Sequence, residues 1–290
     1  MFFEKILVPT SVSFDKTQIW ATPRSTIFLW TSSIIFSNFV LHLLIDPRVE
    51  AFSDRFFNVA SASFFQYLAW VGVFRLLIRA DRNGQANVRD FVASILFCAV
   101  LFLPTNRMIW LASSGLAVYM WVFASGDRYI RGAGVVLGAL SVQAFWGHVL
   151  FNLLAPLLLN AEAAVIGTLL AVGRSDITWN DNVITNADGD GIIIYSGCSS
   201  FHNLSLALLC WIAFTRFTHP AWQRGDAIKG AIIAGALILL NWARLYLMAS
   251  NRGSFHFWHD GVGAQVFETG TGAIVLVLSA WLVGQRDLEP

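Results

Sequence analysis

Charge is what this chain has least of. Lys, Arg, Asp and Glu make up 13% of its 290 residues, against roughly 25% in a soluble domain. Hydrophobic residues reach 56% and mean hydropathy is +0.62. The scarcity excludes an ordinary water-soluble enzyme and points to a polytopic membrane protein. Cysteine is sparse too, and three cysteines cannot all pair within the chain. Cys98 and Cys210 lie inside apolar runs and read as packing residues, whereas Cys198 lies near water. Met1 to Pro23 lacks a hydrophobic signal region, so no cleavable signal peptide is expected. Low-complexity segments and internal repeats are absent. So are a Gly-rich phosphate loop, an HExxH helix and a CxxC pair. No cofactor, metal or nucleic-acid partner is therefore expected; the lipid bilayer is.

What the chain has in abundance is apolar runs of roughly 17–25 residues. They predict spans at about 26–45, 61–79, 90–106, 108–125, 133–158, 200–217, 228–249 and 263–284. The stretch 161–173 is too short to span and reads as re-entrant or interfacial. The expected fold is all-α and polytopic, with about eight transmembrane helices and a small extracytoplasmic β-hairpin element. Residues 1–25 form a cytoplasmic N-terminal segment, 26–158 the N-terminal membrane helices, and 159–290 the region carrying the chemistry.

Orientation follows from Lys and Arg. With the N-terminus inside, eight spans put twelve basic residues in the cytoplasm: Lys5, Lys16, Arg24, Arg79, Arg82, Arg89, Arg128, Arg131, Arg216, Arg224, Lys229 and Arg286. Five lie outside, namely Arg48, Arg55, Arg107, Arg174 and Arg252; Arg75 and Arg244 fall within helices. Both termini are then cytoplasmic. The loops carrying Cys198 and His259 face out.

The loop 174–197 is the sizeable polar segment. Turn residues between Ile177-Thr178-Trp179, Val183-Ile184-Thr185 and Ile192-Ile193-Ile194-Tyr195 predict a hairpin or three-stranded meander over the membrane surface. Asn186-x-Asp188-x-Asp190-Gly191 begins like a calcium loop. Its twelfth position is Gly197, where a bidentate Glu is needed, and that excludes the reading.

Cys198 follows this loop where an apolar helix begins. Unpaired N–H groups at a helix start favour a thiolate, so its pKa is expected to be depressed. A nucleophile there needs a base and an oxyanion partner. His259 or His256 would supply the first, both also explicable as residues of an interfacial aromatic belt. His202 is a weaker candidate. Arg244 lies about five residues inside its helix, where an unpaired charge is costly. It shares a face with Asn241, and a structural ion pair with Glu268 is its alternative role. His148 and Asn152 read as interhelical hydrogen-bonding residues, and Arg75 as a snorkelling one.

Three motifs in order, Cys198-Ser199-Ser200, Asn241-Trp242-Ala243-Arg244 and His259-Asp260-Gly261, resemble those of the exosortase/archaeosortase family. The match covers about residues 150–284. It departs from the pattern at Ser200, where the family usually has Gly. The resemblance implies a membrane cysteine protease or transpeptidase, with Cys198 as nucleophile, His259 as proton-transfer residue and Arg244 as third catalytic residue. Asn241, Asp260 and Glu268 would support them. It further implies secreted substrates ending in a short motif, a membrane helix and a basic tail. The rival reading is a transporter or polysaccharide-export component without covalent chemistry.

Overall fold

The computed structural model describes residues 22–45, 64–102, 106–123, 126–187 and 191–286. The basic residues Lys5, Lys16, Arg48 and Arg55 lie outside that set. So do the expected turn at 188–190, the ends of several expected spans and the side chain of His202.

Ten α-helices and three short strands make up the described chain. Helices α1 (Arg24–Leu44), α2 (Phe64–Arg79), α3 (Val88–Val100), α4 (Asn106–Phe123) and α5 (Arg128–Ser141) come first. A π-helical turn, Val142–Trp146, joins α5 to α6 (Gly147–Ala171). Strands β1 (Thr178–Asn180), β2 (Val183–Thr185) and β3 (Gly191–Ile193) lead to a 3₁₀ turn, Ser196–Cys198. Then follow α7 (Ser200–Thr218), α8 (Arg224–Ser250), α9 (Arg252–His259) and α10 (Val262–Arg286).

Four of these are long and apolar enough to cross a membrane: α1, the continuous α5–α6 rod (Arg128–Ala171), α8 and α10. Shorter apolar helices occupy 107–123 and 203–218. The apolar runs predicted about eight spans, so the described residues give fewer. The 13 residues of α3 rise only about 20 Å, short of a hydrocarbon core of about 30 Å.

A second correction concerns 161–173. This stretch is no re-entrant piece but the end of the 44-residue rod. A rod of that size is about 66 Å long, twice a bilayer core, and its far end supports the sheet. Pro156 lies inside α6 without ending it. Its ring removes the bond to the Asn152 carbonyl, and the helix continues because its last turns are packed.

Three cores hold the bundle. In the first, Phe28, Ile35, Trp70, Leu116 and Leu137 join α1, α2, α4 and α5, and Leu209 and Ala213 add α7. One end of this core is fastened by polar groups. Asn87 and Asp90 form a capping box at the start of α3. The buried Asp90 carboxylate also accepts from Arg24 at 2.8 Å and from Tyr119 at 2.9 Å. Arg75 places its guanidinium 3.8 Å from the Phe217 ring centroid, a cation–π contact that gives it a packing role where snorkelling was expected. The second core packs Trp211 of α7 on Ile233 and Leu237 of α8 and Val275 of α10.

The third core positions the site. Strands β1, β2 and β3 form an antiparallel meander in that order, as the β-branched runs predict. Asp181 turns β1 into β2 with φ 51°, a left-handed conformation that Asp tolerates. Ile184, Ile192 and Ile194 face Ala163, Ile166 and Leu170 of α6 and Leu245 of α8. Trp179 lies across Gly167, where an added Cβ would meet the ring at 2.6 Å. The sheet is thus seated on α6. Arg174 closes its edge by pairing with Asp176 at 2.9 Å and donating to the Ser250 carbonyl at 3.0 Å. Its hydrogen bond holds the Asp176 carboxyl below the usual carboxylate range.

Candidate active site

Cys198 ends the 3₁₀ turn and stands just before α7, at the expected junction of loop and helix. Ser199 is the N-cap, its side chain accepting from the Phe201 N–H at 3.3 Å. The Cys198 N–H donates to the Tyr195 carbonyl at 2.9 Å. Its own carbonyl accepts from Asn241 Nδ2 at 2.8 Å, and the same nitrogen donates to Ser200 Oγ at 3.1 Å. Asn241 is 1% exposed. It holds the cysteine turn from α8.

Arg244 lies one turn further along the same face of α8. Its Nε and Nη2 both donate to the Trp258 carbonyl, at 3.1 and 3.0 Å, and its guanidinium lies 4.9 Å from the Phe267 centroid. Trp258 is in the last turn of α9, whose carbonyls have no partner within the helix. A cation there satisfies them and suits the helix dipole. Arg244 therefore caps the helix that ends at His259. The ion pair with Glu268 expected as its alternative role does not form; both residues instead line one cavity of about 320 Å³. The cavity is otherwise mostly apolar, with Phe65, Leu237 and Val275 among its walls, and Gly197 beside the cysteine.

His259 was expected in a loop and is found at the C-terminus of the short helix α9. Its ring stacks on Phe255 at 4.8 Å and 13°, and Nδ1 is 2.6 Å from Asp260 Oδ1. In the tautomer that donates Nδ1–H to Asp260, Nε2 is the nitrogen left to take a proton. His256 lies on a different cavity, of about 510 Å³, with Arg174 and Arg252. His148 and Asn152 line a third, of about 160 Å³, which meets the cysteine turn at Ser196 and Gly197.

The structure brings Cys198, Asn241, Arg244, His259 and Asp260 to one end of the bundle, with Asn241 bonded to Cys198, His259 to Asp260 and Arg244 to the Trp258 carbonyl. No hydrogen bond joins Cys198 to His259. The thiol also departs from expectation. Burial pushes the Cys198 thiol above the usual thiol range, outweighing the Arg244 charge and the Tyr195 backbone, which pull it down; Glu162 and Asp260 push it up. The sulfur is half-buried against the third core, and that desolvation is the largest of these effects.

Glu162 is the residue that sequence reading missed. It is 1% exposed in α6, and its Oε1 accepts the Ser200 N–H at 2.9 Å. A lone acid in an apolar run was the available signal. No family model, curated protein or solved structure matches this chain.

Proposed function

We propose that this chain is a membrane-embedded cysteine protease or transpeptidase. It would cleave C-terminal sorting signals of secreted proteins at the outer face of the membrane, as its resemblance to exosortases and archaeosortases implies. One observation carries the reading. From one face of α8, Asn241 holds the Cys198 turn and, one turn on, Arg244 caps the helix that carries His259 and leads to Asp260. In this reading the shorter helices, α3 included through local thinning of the bilayer, complete an eight-span bundle in the inner membrane, with both termini in the cytoplasm.

The chemistry uses the chain's own groups. His259 Nε2 takes the thiol proton, and Sγ attacks the scissile carbonyl carbon. N–H groups of Arg244 beyond the two given to Trp258 stabilise the oxyanion. The C–N bond breaks, the leaving amine takes the proton from His259, and a thioacyl group remains on Cys198. An amine, a lipid nucleophile or water, giving its proton to His259, then attacks that carbonyl, and the sulfur leaves as thiolate and takes the proton back from His259. Because the resting thiol is protonated, proton transfer belongs to the substrate complex, where catalytic hydrogen bonds commonly tighten. The cavity bounded by Arg244, Glu268 and Phe267 is the place for the substrate chain.

The test is processing of a co-expressed secreted protein ending in motif, helix and basic tail. Cys198→Ala should insert normally and leave the substrate uncut, and Cys198→Ser should be nearly as inactive. Normal processing by Cys198→Ala would rule out covalent catalysis at this residue and favour the transporter reading.

A further inference from the structure

Glu162 is half-satisfied. One carboxylate oxygen accepts the Ser200 N–H; the other, Oε2, is buried with no hydrogen-bond partner. A buried acid with a bare oxygen is less stable than an apolar side chain of its size, so packing does not explain it. What it touches does. Ser200 is the first residue of α7, two residues beyond the sulfur. Asn241 grips the same turn from the other side through the Cys198 carbonyl and the Ser200 hydroxyl. An amide, a carbonyl and a hydroxyl around the cysteine are thus fixed by α6 and α8 together.

We propose that Glu162 is a positioning residue for Cys198: its carboxylate anchors the start of α7 and stations a negative charge near the sulfur, opposite in sign to Arg244. The inference rests on reading Cys198 as the nucleophile. The charged groups acting on the sulfur are Arg244 from α8, Glu162 from α6 and Asp260, with its partner His259, from the end of α9. Burial favours the thiol; Arg244 favours the thiolate, and Glu162 and Asp260 oppose it. Glu162 exerts its effect from a site that water hardly reaches, so solvent screens it little. The resting sulfur is kept as a thiol, which oxidises less readily than a thiolate, until His259 draws its proton.

The sign of each charge sets the test. A negative neighbour raises the pH at which a thiol ionises and a positive one lowers it. The experiment follows alkylation of Cys198 by N-ethylmaleimide against pH. It uses the full chain in detergent, with Cys98 and Cys210 replaced by Ala so that one thiol remains. Glu162→Gln keeps an oxygen for the Ser200 N–H and removes the charge. Alkylation should begin at lower pH and run severalfold faster at about pH 8, below the usual thiol range. Arg244→Gln should move the profile the other way. Glu162→Asp keeps the charge but withdraws the oxygen from Ser200, so amide exchange across residues 199–201 should quicken. An unchanged or upward-shifted profile in monodisperse Glu162→Gln would overturn the proposal, as would unchanged exchange in Glu162→Asp. Alkylation needs no substrate, so the two readings fail separately. Normal processing by Cys198→Ala would sink the nucleophile and leave the profiles standing. Unmoved profiles beside an inactive Cys198→Ala would sink only Glu162's role.

Discussion

Replacing Arg244 by Lys separates what its charge does from what its shape does. The charge acts on Cys198; the planar fork holds the Trp258 carbonyl with two N–H groups at 3.1 and 3.0 Å. A lysine ammonium keeps the first and cannot reproduce the second. Losing one hydrogen bond from a charged donor costs about 1.5–3 kcal/mol, and weakening the contact with Phe267 about 0.5 kcal/mol more. Nothing compensates locally, because α9 has eight residues and a helix of that size is unstable alone. At about 2 kcal/mol, α9 should open about thirtyfold more often. Hydrogen exchange over residues 252–259 would read that directly. Processing should fall by a comparable or larger factor, since His259 is carried on this helix, while the pH profile of Cys198 alkylation stays near that of the parent. Unchanged exchange together with full processing would refute the argument and leave Arg244 a structural charge.

Other outcomes are equally specific. Asn241→Ala strips the Cys198 carbonyl and the Ser200 hydroxyl of a buried donor. It should cost about 1–3 kcal/mol of stability, and a thermal melt unchanged from the parent would contradict the clamp. Gly167→Ala drives a Cβ into the Trp179 ring and should destabilise by about 1–3 kcal/mol, with faster exchange across the sheet; unaltered exchange would mean Trp179 swings aside freely. Ser175→Cys, in the loop before the sheet, and Arg252→Cys, at the exposed start of α9, should both react with an impermeant thiol reagent in intact cells. Reaction only after permeabilisation would reverse the orientation and remove the outer-face site.

The meander was readable because β-branched residues alternate with turn formers, and the buried Ile184, Ile192 and Ile194 are those an inward face requires. The ends of α1, α7 and α10 lie within two residues of the ends of the apolar runs that predict them. The rod was not readable. Apolar length alone could not separate a re-entrant segment from a helix whose apolar face covers a sheet. Glu162 was hidden for the same reason: inside a supposed short segment it had no partner in view, since Ser200 approaches it only once α6 and α7 meet. The thiol was misjudged through a competition of effects. A helix start favours the thiolate, but Cys198 stands one step outside it and is half-buried against the third core. The position of the cysteine was legible; its surroundings were not.

The spacing of Asn241 and Arg244 then acquires a mechanical meaning. Three residues of α-helix place both side chains on one face about 4.5 Å apart along the axis. From that face Asn241 reaches back to the start of α7, and Arg244 reaches forward to the end of α9. The cysteine and the histidine, sixty-one positions apart in the chain, are therefore both registered against one turn of α8. Neither the sheet nor the loops need to fix their separation. Because α8 is packed by Leu237 on one core and Leu245 on another, it cannot rotate about its axis without disturbing both. A site built this way keeps its geometry, and in the proposed reading the substrate chain would enter the cavity beside Phe267 and Glu268.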